Sequence, residues 1–169
     1  MEMIRYAKKS DISRLAEIEV FGKRTAYRSV FQDDIGSFHD LQVLPIIQEY
    51  QRNSRLLDNI LVYDDGIVKG IIGGKEPSES SEAKTIELYG FYVDPFFKGQ
   101  GIGRALLEHF CLEAERKGKE KICLWVLEDN TFARRFYELN GFVYGNQKAM
   151  IEGTQVVDLY YEKRLVYSR

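Results

Sequence analysis

The fold of this chain is decided by the segment Leu88-Tyr-Gly-Phe-Tyr-Val-Asp-Pro-Phe-Phe-Lys-Gly-Gln-Gly-Ile-Gly-Arg104. Its first half is rich in aromatic and β-branched residues, which predicts a strand that stops at Asp94. Three glycines at alternate positions (Gly99, Gly101 and Gly103) then lead into a helical pattern. Glycines let the backbone approach an anion closely, and the first N–H groups of a helix carry partial positive charge. The segment therefore predicts a site for a phosphate or pyrophosphate group.

Two common phosphate-binding motifs do not match this spacing. A P-loop needs a lysine followed by serine or threonine after its last glycine, and no such lysine follows these glycines. A Rossmann fingerprint that starts at Gly101 needs its third glycine where Leu106 stands. The segment also follows a predicted antiparallel hairpin instead of opening a first βαβ unit. Both of these nucleotide-binding classes are therefore excluded by spacing.

A second informative segment is Leu127-Glu-Asp-Asn-Thr-Phe-Ala-Arg-Arg-Phe-Tyr-Glu-Leu-Asn-Gly-Phe142. It resembles the Asn-x-x-Ala-x-x-Phe-Tyr-x-x-x-Gly-Phe segment of the GNAT superfamily of N-acetyltransferases. The loop Lys98-Gly-Gln-Gly-Ile-Gly103 resembles the acetyl-coenzyme A loop of the same family, Gln/Arg-x-x-Gly-x-Gly/Ala, and departs from it at Lys98. The resemblance covers about residues 84–144, and the N-terminal half agrees only in its coarse order of strands and helices.

The resemblance implies the GNAT acyltransferase fold, of the α/β (α+β) class, in a single domain over residues 1–169. This fold has a mixed, mostly antiparallel twisted sheet of about seven strands, flanked by about four helices. The order of strand and helix patterns along the chain agrees with such a sheet. The first helix is predicted to fade near residues 22–25. Pro45 is predicted to kink or divide a second helix that reaches about Asn53.

The resemblance also implies that acetyl-CoA is the cosubstrate and that no metal takes part. The pyrophosphate would be held mainly by backbone N–H groups of the loop. Asn130 would hydrogen-bond the pantetheine arm, and asparagine is also a good helix N-cap. The residues predicted to bind the coenzyme are Phe91, Tyr92, Val93, Lys98, Gly99, Gln100, Gly101, Ile102, Gly103, Arg104, Asn130, Ala133 and Tyr137.

Acetyl transfer to an amine requires a base and an acid. A protonated alkylamine, with a pKa of about 10.4, cannot attack a thioester, and the departing thiolate benefits from a proton. Tyr137 stands where the family's tyrosine approaches the coenzyme sulfur, so it is predicted to be the acid. Glu87 stands eleven residues before Lys98, where the histone-acetylating branch has its catalytic glutamate, so it is the candidate base. Glu87 could instead order a water or bind the acceptor ammonium.

Another branch of the family acetylates the terminal alanine of a ribosomal protein. It often has a glutamate five positions before the motif asparagine, and this chain has Trp125 there. This difference argues against a base at that position.

The acceptor is predicted to be an amine-bearing substrate whose identity stays open among small molecules, peptides and proteins. The resemblance places the acceptor near the first two helices and the last hairpin. The residues predicted to bind it are Tyr27, Phe31 and Tyr160, although aromatic residues there would equally serve to cover the sheet. The alternative function is a catalytically weak acetyl-CoA-binding sensor or regulatory module.

Composition argues against several other classes of protein. A net charge of −2 provides no basic surface for nucleic acid. No run of 18 apolar residues predicts a membrane span, and the first six residues lack the apolar core of a signal peptide, so a cytoplasmic location is predicted. Cys111 and Cys123 are too few for a disulfide framework or a metal cluster, and core packing is predicted for both. A monomer or a homodimer is expected.

Overall fold

A computed structural model describes residues 3–77 and 84–165, which form two compact units. The first unit contains the described residues up to Gly74 together with Tyr89–Phe110. The second contains those of Lys75–Leu88 and those from Cys111 onward. Two strands and one helix each contribute residues to both units, so the division does not follow the element boundaries.

The described residues form seven strands and four α-helices. The strands are β1 (Ile4–Tyr6), β2 (Ile60–Asp64), β3 (Val68–Lys75), β4 (Thr85–Val93), β5 (Lys121–Leu127), β6 (Val143–Met150) and β7 (Val157–Arg164). The helices are α1 (Ile12–Phe31), α2 (Val43–Arg52), α3 (Ile102–Arg116) and α4 (Thr131–Leu139). The sheet has the order β1-β2-β3-β4-β5-β7-β6, with β4 and β5 parallel. The pairs β1–β2, β2–β3, β5–β7 and β6–β7 are antiparallel, which confirms the predicted mixed sheet.

In the first unit, α1 packs its apolar face on the β2–β3 hairpin. Ile12, Leu15 and Ile18 recur at helical spacing and belong to one buried cluster with Val62 and Ile71. Leu15 and Ile18 have no exposed surface. Burying each such side chain contributes roughly 1.5–3 kcal/mol to folding.

Two predictions about the helices are wrong, one on the end of α1 and one on the effect of Pro45. Helix α1 continues to Phe31 instead of ending near Gly22. A Cβ atom at Gly22 would lie only 2.6 Å from Cδ1 of Tyr92, so this glycine permits close packing and does not end the helix. Pro45 falls in the first turn of α2, where its missing N–H would have no intrahelical acceptor, and α2 is therefore not divided.

In the second unit, one face of the β5–β7 pair packs against α4. Tyr161 of β7 is fully buried, and its hydroxyl donates to Oε1 of Glu138 at 2.7 Å. Arg134 of α4 donates from Nε to the same hydroxyl and from Nη1 to the carbonyl of Glu128. These bonds fix α4 and the turn before it on the sheet.

Candidate functional site

The start of the glycine loop is anchored within the first unit. Asp94 follows β4, and its Oδ1 accepts a hydrogen bond of 2.9 Å from the Phe96 N–H, which caps a 3₁₀ turn. Arg14 of α1 donates from Nη2 to Oδ2 of Asp94 at 2.5 Å and from Nε to the Val68 carbonyl at 2.9 Å. Because the Asp94 side chain is only 7% exposed, this ion pair holds the loop entrance to α1 and β3.

The loop leads directly into the N-terminus of α3. Gly99 and Gly101 both have a φ of +78°, a conformation that strains any residue with a Cβ. Among the residues that the structure describes, and apart from each glycine's two chain neighbours, no heavy atom lies within 4 Å of a Cβ built at either glycine, so the space beside them is open. The Ala105 N–H donates to the Gly101 carbonyl at 3.0 Å. The N–H groups of the three residues before Ala105 therefore precede this first helical bond and can face an anion.

The first turn of α3 packs very closely on β3. A Cβ atom at Gly70 of β3 would lie 2.9 Å from Cδ1 of Leu106 and 3.1 Å from Cγ2 of Ile102. The absence of a side chain at Gly70 therefore lets the helix approach the strand, which fixes the direction of its N-terminus. Lys98 and Arg104 are exposed, and Arg104 Nε donates to Oε1 of Glu108 at 2.8 Å.

Three aromatic residues named from the sequence come together in the first unit. The rings of Tyr27 and Phe31 meet edge to face at 6.3 Å, and the Tyr27 hydroxyl lies 3.5 Å from that of Tyr92. Burial, followed by the neighbouring Tyr27, raises the pKa of Tyr92 far above its ordinary value. Tyr92 therefore stays neutral. Phe91 and Val93 are half-buried on either side of it along β4.

The second unit contains Asn130, Ala133 and Tyr137. Asn130 is the N-cap of α4, since its Oδ1 accepts from the Ala133 N–H at 3.1 Å. This cap uses only the amide oxygen of Asn130. The Tyr137 ring is 9% exposed and packs edge to face on Phe136 and Phe142, at 5.6 and 5.5 Å. The position of the Tyr137 ring is therefore set by aromatic packing.

Strands β4 and β5 pair in parallel only as far as Glu87 of β4, which lies opposite Cys123 of β5. Its side chain is 12% exposed, and Oε1 lies 3.3 Å from Nζ of Lys75. The lysine partner was not predicted, because nothing in the sequence indicates which lysine would approach Glu87 from a neighbouring strand.

Tyr160 lies on β7 beside two residues of β5. Its ring is 5.3 Å from that of Trp125, and the thiol of Cys123 is a close neighbour of its hydroxyl. Burial raises the pKa of Tyr160 to about 12 and also raises the pKa of the Cys123 thiol. Cys123 and Cys111 are both buried, as core packing requires. Asp158 was not predicted as a site residue. It stands two residues before Tyr160, and the two-residue alternation of a strand places both side chains on the same face.

Neither a metal-binding cluster nor a membrane-spanning helix is found in the described parts of the chain. No three His, Cys, Asp or Glu side chains among residues 3–77 and 84–165 are grouped so as to hold a metal ion. None of the helices in the same ranges has the length and apolar character needed to cross a membrane.

Curated relatives share part of their length with this chain. An uncharacterized N-acetyltransferase of Methanocaldococcus jannaschii is 33% identical over 76 residues, which is 45% of this chain and 32% of the relative. The [ribosomal protein bS18]-alanine N-acetyltransferase of Escherichia coli is 44% identical over 55 residues, which is 32% of this chain and 37% of the relative. The chain thus spans about a third of the length of these relatives.

Solved structures share the fold over nearly the whole chain. The PaiA N-acetyltransferase of Thermoplasma acidophilum, in complex with coenzyme A, has a TM-score of 0.71 at 23% identity and covers 95% of this chain and 97% of its own. The ribosomal-protein alanine N-acetyltransferase of Escherichia coli has a TM-score of 0.67 at 21% identity and covers 100% and 97%. Residues 24–142, more than half of the chain, match the family model of the acetyltransferase (GNAT) family. The chain belongs to the GNAT family of acetyltransferases.

Proposed function

We propose that this chain is an N-acetyltransferase that moves the acetyl group of acetyl-CoA directly to a primary amine of a small molecule, a peptide or a protein. The observation that carries the proposal is the glycine loop that leads into α3. Its two glycines of positive φ border open space, and the helix N-terminus behind them presents unpaired N–H groups. Such a site fits a pyrophosphate, and the family match identifies which pyrophosphate-bearing donor is expected.

The loop residues 98–104 and the end of β4 would hold the donor, which supplies the acetyl thioester. Backbone N–H groups of the loop bind the pyrophosphate without any charged side chain, so the departure at Lys98 leaves this function intact. The exposed Arg104 can add a phosphate contact by leaving its partner Glu108. Asn130 retains its amide N–H₂ group as a donor while its oxygen caps α4.

Tyr137 is proposed as the acid that protonates the leaving thiolate. The aromatic packing of its ring holds the phenol in one orientation, which supports such a role. Glu87 is proposed as the base that takes the proton of the acceptor amine, directly or through water. Its low exposure and its position at the end of the β4–β5 register support this role. Binding the acceptor ammonium is the other role that the same carboxylate can have.

The relatives support an amine acceptor without naming it. By its name, the Escherichia coli relative acetylates an alanine of ribosomal protein bS18 on nitrogen. Its acceptor is therefore an amine. The branch that acetylates this alanine often has a glutamate five positions before the motif asparagine, where this chain has Trp125. We therefore do not propose the ribosomal-protein alanine as its acceptor.

The proposal is tested by incubating the purified chain with acetyl-CoA and a panel of amines and measuring free thiol. Amine-dependent thiol release, with the acetylated amine identified by mass spectrometry, is the expected result. Tight binding of acetyl-CoA in calorimetry without turnover of any amine would instead support the sensor function. Tyr137→Phe serves as the control, because it should keep coenzyme binding and lose thiol release.

A further inference from the structure

One face of the sheet in the second unit brings together an aromatic pair and a carboxylate. Residues that are partners in an antiparallel register project to the same face, and side chains on a strand alternate between faces. The register pairs Trp125 with Tyr160 and Leu127 with Asp158. Trp125, Tyr160 and Asp158 therefore lie on one face, in two adjacent rows. The opposite face carries Tyr161, which packs against α4.

The aromatic pair is held in place and partly accessible. The rings of Trp125 and Tyr160 meet at an angle of 62° with their centres 5.3 Å apart, so each ring restrains the other. Trp125 nevertheless remains 37% exposed. An accessible indole face next to a tyrosine is a surface that attracts cations.

Among the described residues, Asp158 differs from Glu87 and Glu162 of the same face in having no cationic partner. Glu87 has Lys75 at 3.3 Å, and Glu162 has Lys121 at 3.4 Å. Asp158 is half-buried, and no ion pair or hydrogen bond of its side chain is found within the part of the chain that the structure describes. Burial accordingly raises the pKa of this carboxyl group. A bound cation would offset the cost of burying the carboxylate.

We propose that Trp125, Tyr160 and Asp158 form a cation subsite that binds a positively charged group of the acceptor, a reading that rests on the acetyl transfer proposed above. Asp158 lies four residues along β7 from the row of Glu87 and Cys123, which is about 13 Å at the usual rise of a strand, and the aromatic pair lies between them. The acceptor class is thus a long amine with a second positive charge. One cationic end is held at Asp158 while the other amine reacts.

The kinetic test compares 1,8-diaminooctane with 8-amino-1-octanol, which has the same length and one charge fewer. The parent chain should prefer the diamine in kcat/KM by about tenfold or more, since only the diamine can pair a second positive charge with Asp158. Asp158→Asn should abolish this preference and leave the KM for acetyl-CoA unchanged. Glu152→Gln is the matched control, because Glu152 is exposed in the β6–β7 turn of the same hairpin and its loss should keep the preference.

A binding test reports on the subsite without turnover. Trp125 is the only tryptophan of the chain, so tryptophan fluorescence reports on the surroundings of the subsite. Titration with 1,8-diaminooctane should change this fluorescence in a saturable way, and Asp158→Asn should weaken the apparent affinity by about tenfold. Octane-1,8-diol, which carries no charge, should produce no saturable change.

The two proposals fail in different ways. If the chain turns over amines but Asp158→Asn leaves both the diamine preference and the fluorescence titration unchanged, the subsite is overturned and the acetyl transfer stands. If no amine is turned over while diamine binding depends on Asp158, the acetyl transfer fails and the subsite stands. An equal loss of kcat/KM for both amines in Asp158→Asn, with no change in the titration, would also overturn the subsite, since it indicates a structural role.

Discussion

The Oε1 atom of Glu87 lies 3.3 Å from Nζ of Lys75. The candidate base is therefore already paired with a cation, at a carboxylate that is 12% exposed. An incoming ammonium would have to share this carboxylate with Lys75 or replace it. This relationship makes the two possible roles of Glu87, as a base and as an ammonium ligand, separable by kinetics.

Replacement of Glu87 by glutamine distinguishes these roles. A base contributes about 10²–10⁴ to the rate, so Glu87→Gln should lower kcat by at least about 100-fold and change the shape of the rate–pH profile. If Glu87 only binds the acceptor ammonium, KM should rise while kcat is kept. Glu76→Gln, at an exposed glutamate that pairs with Lys119, should leave both constants unchanged. A parent-like rate–pH profile for Glu87→Gln would remove the base assignment.

Tyr137→Phe should lower turnover by about 100-fold with little effect on acetyl-CoA affinity. The ring would keep its contacts with Phe136 and Phe142, so only the hydroxyl is lost. Thiol-release kinetics and calorimetry measure the two effects. Tyr144→Phe removes a hydroxyl from a more exposed tyrosine of the same unit and should be neutral. An unchanged rate in Tyr137→Phe would rule out its role as the acid.

A comparison of two glycines separates the role of the glycine loop in coenzyme binding from the effect of backbone strain. Gly101 and Gly153 have φ values of +78° and +76°, and a Cβ built at either would lie more than 4 Å from every heavy atom of the described residues other than its two chain neighbours. Replacing either by alanine should therefore cost about 1 kcal/mol of unfolding free energy. Only Gly101→Ala should also raise the KM for acetyl-CoA, by about tenfold or more, because its Cβ would enter the space beside the proposed pyrophosphate site. Equal KM values in the two variants would contradict the assignment of this loop.

An ion-pair cluster in the first unit should make stability depend on pH. Burial alone would raise the pKa of Asp11, but hydrogen bonds from the Arg5 guanidinium and the Lys8 N–H hold it below its ordinary value. Arg5 also lowers the pKa of Asp64. Both carboxylates therefore stabilise the folded chain above about pH 4, and this stabilisation is lost as the pH falls through their folded pKa values. Arg5→Met should lower the free energy of unfolding by about 2–3 kcal/mol at pH 7.

The same substitution should have a much smaller effect at pH 2, where the carboxyl groups are protonated. Denaturant unfolding at the two pH values measures the difference. A loss that is equal at pH 7 and pH 2 would show that Arg5 acts through packing and not through its charge.

The raised pKa of Asp158 predicts the opposite effect on stability from the lowered pKa values of Asp11 and Asp64. Because burial raises this pKa, the carboxylate weakens folding once the pH exceeds the unfolded value of about 4. Asp158→Asn should therefore increase the melting temperature at pH 7, and the gain should vanish near pH 3. Thermal unfolding at both pH values is the measurement. A lower melting temperature at pH 7 would mean that Asp158 has a stabilising partner.

Local signals predicted the elements around the glycine loop well. The strand predicted to stop at Asp94 ends at Val93, and the helical pattern predicted after the glycines begins at Ile102. Asn130, a good N-cap by its residue type, caps α4. These elements have strong caps and stops next to them, such as Asn130 before α4 and Gly118 after α3, and such signals act within one turn of the chain. The end of α1 was predicted wrongly because Gly22 makes room for Tyr92, a residue that is far away in the sequence.

Consecutive residues were enough to predict the family and the glycine loop, since glycine spacing and helix capping are local properties of the chain. Only the tertiary structure paired Lys75 with Glu87 and set Asp158 beside Trp125 and Tyr160. These contacts depend on strand register, which follows from packing over the whole sheet and not from any short segment.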